Sequence, residues 1–256
     1  MQHHDYPILE YDPAPQAHIE PAAILPRIDI APHCVLHFFA EVAGRLVEQH
    51  GARPVFTIHS AMGPHPVYEI DVEGRRLAVL HCGVGAPLAA GMLEELIAIG
   101  CSRFIAVGGA GVLDSTIAPG HVIVPTAAVR DEGTSYHYLP PAREVAPHPA
   151  GVAALQAVLG RHGIPYRMGK AWTTDAIYRE TAARIARRRE EGCLAVEMEA
   201  AAFFAVAQFR GVIFAQALYG GDDVGGETWD ARNWVHGHVS TREKLFWLAA
   251  EACLTL

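Results

Sequence analysis

The sequence predicts an α/β fold in which a largely parallel or mixed sheet is covered by helices on both faces. Short apolar runs of strand length alternate with helical patterns along most of the chain, and several of these patterns end at a glycine. With 256 residues and 51% hydrophobic side chains, the chain can bury the core of one large domain. We predict an N-terminal arm at residues 1–32, which are rich in Pro, His and acids, and a single domain at residues 33–256.

In the first half of the domain, glycines mark the ends of the predicted elements. Gly51 and Gly100 each follow a helical pattern, and Pro87 suits the first turn of the second helix. Glu73-Gly74 separates two apolar runs and predicts a hairpin. We predict strands at 35–39, 55–59, 67–72 and 76–81, and helices at 40–50 and 87–99.

In the second half, apolar strands again alternate with helical patterns. Residues 108–111 are four small residues after a strand, and residues 129–138 have no regular period, which predicts a long loop of the kind that often lines sites. Residues 240–243 read as a capping box that opens the last helix. We predict strands at 103–107, 120–125, 166–173, 194–197 and 212–219, and helices at 152–159, 184–189, 200–209 and 240–254.

Composition excludes several classes of partner and cofactor. The net charge of −8 and the pI near 6.0 provide no positive field, so we expect neither nucleic acid nor an anionic membrane as a partner, and a small molecule instead. Five widely spaced cysteines without a CxxC pair predict neither disulfides nor a zinc site. Because no signal peptide or 20-residue apolar run is visible, we expect a cytoplasmic protein.

Two glutamates stand where a predicted strand meets a predicted helix. Glu197 and Glu199 lie between apolar residues, and a buried carboxylate needs a partner. Both point to one side if the strand continues that far, and the dipole of the following helix favours the ionised form of Glu199. Such a pair would suit the vicinal hydroxyls of a ribose. On local pattern alone, a helix-terminal acid and a strand-end charge explain the two residues equally well.

Other polar or glycine-rich motifs also fall at predicted strand ends. In open α/β sheets, ligands bind beyond the carboxyl ends of the strands, so we expect a shared pocket. Its candidate floor is formed by the glycine turns at Gly83, Gly85, Gly108, Gly109 and Ala110. Its other candidates are Thr174, Asp175, Ile177, Tyr178, Asp222 and Asp223.

These motifs together resemble the nucleoside phosphorylase family, which includes purine nucleoside phosphorylase, uridine phosphorylase and the methylthioadenosine nucleosidases. The resemblance covers roughly residues 35–255, and its most specific part is the string Val196-Glu197-Met198-Glu199-Ala200-Ala201. It implies a three-layer α/β/α domain around a mixed, partly barrel-like sheet. It also implies cleavage of an N-ribosidic bond by phosphorolysis, with a nucleoside as substrate, inorganic phosphate as co-substrate and no other cofactor, in a homo-oligomer built as a dimer or hexamer.

The resemblance also implies roles for individual residues. Glu199 would hold the ribose 2′ and 3′ hydroxyls, Met198 would pack against the sugar, and Glu197 would support the site. Asp222 would protonate the departing base, since a carboxyl group with a raised pKa can neutralise the charge that develops there. As a plain alternative, Asp222 is a turn acid after two glycines. The base pocket would comprise Thr174, Asp175, Ile177, Tyr178 and Asp223, with Asp223 as a second acid beside Asp222.

We also expect two residues of the predicted loop to lie at a subunit boundary. Tyr136 and His137, in the polar and aromatic segment 129–138, would contact the ribose 5′ end across a subunit boundary. Ordinary loop packing explains them as well.

The phosphate site departs from the family pattern. A Gly-Asp-Pro-x-Arg loop is replaced by residues 37–42, an arginine by Ala106, and a Ser or Thr by Gly109, and residues 57–64 contain no arginine. Because phosphate sites normally use arginines, either Arg45, Arg103 or Arg130 has taken over or water is the nucleophile. The sequence therefore leaves open a hydrolytic nucleosidase and a non-catalytic nucleoside-binding protein as alternatives to a phosphorylase.

Two remaining motifs are weaker. Gly83-x-Gly85 could open a dinucleotide fingerprint, but Leu88 stands at the third glycine position. His236 and His238 form the closest histidine pair, but no HExxH motif accompanies them, so we predict no metal site.

Overall fold

The computed structural model describes residues 3–233 and 239–256, and the histidine pair at 236 and 238 lies outside these ranges. The strands are β1 (His33–His37), β2 (Arg53–Ser60), β3 (Gly63–Val72), β4 (Arg75–His81), β5 (Arg103–Val112), β6 (Val122–Asp131), β7 (Glu144–Val145), β8 (Tyr166–Thr174), β9 (Cys193–Glu197) and β10 (Ile213–Asp223). The helices are α1 (Pro21–Ile24), α2 (Ala40–Gln49), α3 (Ala86–Ile99), α4 (Pro149–Arg161), α5 (Ala182–Glu190), α6 (Ala200–Arg210) and α7 (Val239–Leu254).

The strands form one mixed sheet that closes on itself at one end. The order β10-β6-β8-β9-β5 becomes a five-stranded barrel because β10 also pairs with β5, in parallel. Beyond β5 the sheet continues as β1-β4-β3-β2, and β7 pairs with β6. The predicted mixed and partly barrel-like sheet is confirmed.

Helices cover both faces of this sheet because successive strand residues point in opposite directions. Along β5, Phe104 and Ala106 face the core beneath α3 and α6, while Ile105 and Val107 face the core beneath α4 and α7. The helices over these two cores form the outer layers of the predicted α/β/α arrangement.

The N-terminal segment lies against the domain and holds little regular structure. Most residues between 3 and 29 are exposed, whereas Ile30 and Ala31 are buried. The segment contains α1 and a 3-10 turn at Pro7–Leu9. The division of the chain at residue 32 stays a prediction.

The tested element predictions hold in type, but several strands are longer than predicted, notably β5 and β6. β5 continues through residues 108–112, where Gly108 and Gly109 pair with Leu218 and Tyr219 of β10. β6 continues to Asp131, so the predicted loop at 129–138 shrinks to a short connection with a 3-10 turn at Thr134–His137. In both cases pairing across the barrel extends a strand into a stretch that lacks a strand-like pattern.

The structure does not show the capping box that we predicted at residues 240–243. The carboxylate of Glu243 pairs with Arg45, on α2. Since α7 already includes Val239, Ser240 lies inside the helix rather than at its cap.

The five cysteines are buried free thiols. Within residues 3–233 and 239–256, no helix has the length and apolar character to cross a membrane, and no group of three His, Cys, Asp or Glu side chains is arranged to hold a metal ion.

Candidate active site

A cavity of about 280 Å³ opens where β5, β9 and β10 end. Its wall combines acidic side chains, small residues and aromatic rings. The lining residues are Phe38, Phe39, Val84, Gly108, Gly109, Ala110, Gly111, Ile177, Glu180, Val196, Glu197, Met198, Glu199, Gln216, Tyr219, Gly221, Asp222 and Arg242. Residues from widely separated parts of the chain thus share one enclosed space.

Glu197 ends β9 with a buried carboxylate that accepts three hydrogen bonds. The Thr173 hydroxyl donates to Oε1 at 2.6 Å, and the backbone N–H groups of Glu199 and Ala200 donate to Oε2 at 2.8 and 2.7 Å. Burial raises the pKa of Glu197, whereas these three donors favour its ionised form. The side chain therefore fixes the junction between β9 and α6.

Glu199 precedes the first turn of α6, and its buried Oε1 accepts a hydrogen bond of 2.6 Å from the Gly85 N–H. Its backbone has left the extended region, with φ −135° and ψ −28°, so the two glutamates are not related by strand alternation as predicted. Both carboxylates nevertheless line the cavity. Burial, followed by the charge on Glu197, raises the pKa of Glu199, whereas we expected the helix dipole to favour its ionised form.

Asp222 lies near the end of β10 and lines the same cavity as Glu199. The Trp229 indole N–H donates to its Oδ2 at 2.7 Å. Glu180, a half-buried residue between the 3-10 turn at Ile177–Arg179 and α5, lines this cavity as well. Burial and then the charge on Asp222 raise the pKa of Glu180 to about 7, so Glu180 is partly protonated near neutral pH.

Asp223 must be removed from the predicted base pocket. Its buried carboxylate forms an ion pair with Arg232 at 2.7 Å and accepts hydrogen bonds from Ser115 and from the Gly225 N–H. The acid that neighbours Asp222 across the cavity is therefore Glu180, not the next residue in sequence.

Of the other four residues predicted for the base pocket, one lines the cavity and three do not. Ile177 lines the cavity, and Tyr178 lines a neighbouring one. Thr174 is buried and accepts a hydrogen bond from the Ala176 N–H, while Asp175 accepts one from the Gly133 N–H. Both are used to shape the chain after β8, so neither lines the cavity.

The two glycine turns do not present open amides as predicted. The Gly85 N–H is occupied by Glu199, and the Gly83 N–H donates to the Met92 sulfur at 3.3 Å. Gly108, Gly109 and Ala110 do line the cavity, but as part of β5.

Close approach of aromatic rings explains the small residues in β5. A Cβ at Gly108 would lie 3.2 Å from the Phe38 ring, and one at Gly109 would lie 3.0 Å from the Tyr219 ring. Aromatic rings thus crowd the wall where the family pattern would place a phosphate ligand.

None of the three arginines proposed as substitutes reaches the cavity wall. Arg45 pairs with Glu243, and the guanidinium of Arg130 donates to Ser135 and to the carbonyls of residues 139 and 140. Arg103 begins β5, at the end of the strand remote from the cavity. Of the two alternatives that the sequence left open, the one that uses Arg45, Arg103 or Arg130 as phosphate ligands finds no support in these positions.

Arg242, from α7, is the arginine that lines the cavity within the described chain. Its guanidinium forms an ion pair with Glu41 at 2.8 Å and donates to the Tyr219 hydroxyl at 2.8 Å. In the sequence, Arg242 lies within the predicted capping box, and no role in the site was predicted for it.

Gln216 is a second lining residue without a sequence signal. It is only 1% exposed, and neither its Oε1 nor its Nε2 has a hydrogen-bond partner within the described residues. An unpaired buried amide facing a cavity is costly unless a ligand or water satisfies it. A polar residue in a strand of otherwise apolar and small residues was the only available hint.

Tyr136 and His137 lie outside the cavity wall. The Tyr136 hydroxyl donates to the Arg130 carbonyl at 3.1 Å, and its ring packs 4.3 Å from the Arg130 guanidinium; His137 is exposed. Their contact with a second subunit stays a prediction.

The raised pKa of Glu199 predicts a pH-dependent stability. Because the folded-state pKa, about 8, exceeds the usual 4.5, the folded chain binds more protons than the unfolded chain, and the free energy of unfolding falls as pH rises between these values. Glu199→Gln cannot lose a proton. We expect the free energy of unfolding of this variant, measured by urea unfolding, to exceed that of the wild type by more than about 1 kcal/mol at pH 8 and by less at pH 5.

Glu190→Gln, on the exposed face of α5, is the matched control and should change stability by less than about 0.5 kcal/mol at both pH values. A Glu199→Gln protein that loses more stability at pH 8 than at pH 5 would contradict the assignment.

Comparison with known proteins places the chain in a family. The family model for the Phosphorylase superfamily matches residues 32–251. A guanosine phosphorylase of Halorubrum lacusprofundi is 28% identical over 148 residues, which are 58% of this chain and 61% of that one.

Two solved structures show the same fold. Uridine phosphorylase from Vibrio fischeri superposes with a TM-score of 0.75 at 23% identity, covering 89% of this chain and 94% of that chain. AMP nucleosidase from Bacteroides thetaiotaomicron superposes with a TM-score of 0.71 at 23% identity, covering 89% of each. The chain belongs to the Phosphorylase superfamily, the family of the nucleoside phosphorylases.

Proposed function

We propose that the chain cleaves the N-ribosidic bond of a nucleoside and that water is the nucleophile. The main support is that Glu199 and Asp222 line one cavity, so a sugar-binding carboxylate and an acid for the leaving base are available to a single ligand. At about 280 Å³ the cavity is close to the lower end of small-ligand sites, about 300 Å³.

Glu199 is the proposed acceptor for the ribose 2′ and 3′ hydroxyls. Its Oε1 accepts a hydrogen bond from the Gly85 N–H, and the carboxylate lines the cavity with acceptor capacity left for a diol. Hydroxyl donors would favour the ionised form that burial otherwise disfavours. Glu197 acts through the backbone N–H of Glu199, which it holds, and Met198 packs against the sugar.

Asp222 is the proposed acid for the leaving base. Breaking the bond between C1′ and the base nitrogen leaves an oxocarbenium-like sugar and negative charge on the base. Glu180, which lines the same cavity and has a pKa raised to about 7, supplies the proton, and its transfer to the base by way of Asp222 neutralises the charge. The indole of Trp229 orients the Asp222 carboxylate for this transfer.

The charges of the cavity favour water over phosphate. Four carboxyl groups line it, those of Glu180, Glu197, Glu199 and Asp222. The single lining guanidinium of the described residues, on Arg242, is already paired with Glu41. A phosphate dianion would therefore meet net negative charge without the arginines that phosphate sites use.

Gln216 is the proposed residue that holds the nucleophilic water. Its unpaired amide can accept a hydrogen bond from a water molecule through Oε1 and donate one through Nε2. As the water oxygen bonds to C1′, the C1′–N bond breaks and the base leaves with the proton that came from Glu180. The proton that the water loses returns Glu180 to its protonated form, so the acid is regenerated. The products are ribose and the free base.

Phosphorolysis is the second candidate, because the guanosine and uridine enzymes among the relatives are named phosphorylases. It requires Arg242 to exchange Glu41 for phosphate. A non-catalytic nucleoside-binding protein is the third, and it leaves the paired acids Asp222 and Glu180 without a role.

Product analysis distinguishes these candidates. We expect a panel of purine and pyrimidine nucleosides in H₂¹⁸O to yield free base and ribose labelled at C1, at the same rate with and without phosphate, as measured by mass spectrometry. Asp222→Asn should lower kcat by about 10²–10⁴-fold, because it removes the acid.

Asp175→Asn is the matched control, since Asp175 lies outside the cavity, and it should retain activity. Formation of ribose 1-phosphate would establish phosphorolysis instead. A ligand-induced rise in Tm without release of base would identify a binding protein.

Gln216→Met tests the role of the amide. The substitution keeps the length of the side chain but removes its hydrogen-bonding atoms, so we expect kcat to fall by about 10–100-fold while KM changes by less than about threefold. Steady-state kinetics and a melting curve are measured together, because a purely structural role would lower Tm and leave kcat of the folded fraction unchanged.

A further inference from the structure

A second cavity adjoins the first at its acidic end. It has a volume of about 660 Å³, more than twice that of the first, and shares Ile177, Glu180 and Asp222 with it. A ligand whose leaving base lies beside Asp222 therefore faces directly into this additional space.

The second cavity is mainly apolar. α5 contributes Ala182, Ile185 and Ala186, and the segment after β10 contributes Val224 and Trp229. Its charged lining beyond the shared acids consists of one cation, Arg189, and one anion, Glu227. These opposite charges give no preference for a charged ligand.

Large apolar side chains are unusually exposed around this cavity. Tyr178 is 95% exposed, Trp229 is 61% exposed and Ile177 is 48% exposed, and all three line it. A grouping of exposed apolar side chains marks a surface that gains from being covered. Aromatic rings at such a mouth favour a flat partner.

Trp229 connects the second cavity to the chemistry of the first. Its ring lines the second cavity, while its indole N–H donates to Asp222 at 2.7 Å. A group that packs against this ring is therefore placed one side chain away from the proposed acid.

On the basis of the proposed function, we propose that the second cavity binds an uncharged aromatic substituent carried by the nucleobase. The preferred substrate is then a base-modified nucleoside, whose ribose lies at Glu199 and whose substituent lies between α5 and Trp229. The combination of an adjoining apolar space and a shared acidic boundary carries this assignment.

Matched pairs of nucleosides test the proposal. Adenosine is compared with N6-benzyladenosine, and cytidine with N4-benzoylcytidine, by kcat/KM and by calorimetric binding. In at least one pair we expect the substituted compound to be favoured by about tenfold or more, because its ring is buried against apolar side chains.

Ala186→Trp fills the second cavity from the exposed face of α5 and should reduce this preference by about tenfold. Ala183→Trp lies on the same helix, is exposed and lines neither cavity, so it should leave the preference unchanged.

The two proposals fail in different ways. Cleavage of unsubstituted nucleosides without any preference for the substituted ones, or a preference that survives Ala186→Trp, overturns the subsite and leaves the proposed function intact. Tighter binding of a substituted nucleoside that Ala186→Trp abolishes, without cleavage of any compound, supports the subsite and overturns the proposed function.

Discussion

Two carboxylates buried side by side constrain the rest of this structure. Glu197 and Glu199 are each less than a tenth exposed, and an isolated buried charge would be prohibitively costly. The chain supplies donors from three places: the Thr173 hydroxyl on β8, the first amides of α6 and the Gly85 amide before α3. Because these donors come from different elements, the acids can be kept only if β8, β9 and the glycine turn meet at one point. Pairing of β8 with β9, together with packing of α3 against α6, brings them there.

The arrangement is better suited to a bound ligand than to the empty protein. Glu199 is buried with a raised pKa, Gln216 has no hydrogen-bond partner within the described residues, and Glu180 and Asp222 repel each other when both are ionised. Under the proposed function, the ribose diol would relieve the cost at Glu199 and a water molecule would relieve the cost at Gln216. A base that takes up a proton would use the acids Glu180 and Asp222. Instability of this kind is typical of functional sites, where groups are held for chemistry rather than for the fold.

Most elements of the fold could be predicted because hydrophobic periodicity, and the glycines that end helices or form turns, are local features of the sequence. The hairpin around Glu73-Gly74, the helix that ends at Gly100 and the strand before Glu197 all follow from such patterns. The extension of β5 through Gly108 and Gly109 could not be predicted, since it results from pairing with β10 across the barrel. Those glycines look like an open turn in the sequence, and only the structure shows that aromatic rings require them.

The residues of the candidate site were likewise predictable only where a local sequence pattern marks them. Glu197, Glu199 and Asp222 could be identified because their string and order resemble a family, whereas Glu180, Gln216 and Arg242 lie in unremarkable contexts and meet only in three dimensions. Asp223 illustrates the opposite error, since adjacency in sequence suggested a shared role and an ion pair with Arg232 removes it.

A crystal structure of the Asp222→Asn protein with an intact nucleoside shows directly whether one ligand contacts both Glu199 and residue 222. We expect the ribose O2′ and O3′ to lie within about 3.2 Å of the Glu199 carboxylate and the nucleobase to lie beside residue 222. A nucleoside bound elsewhere, or one whose sugar lies away from Glu199, would contradict this expectation.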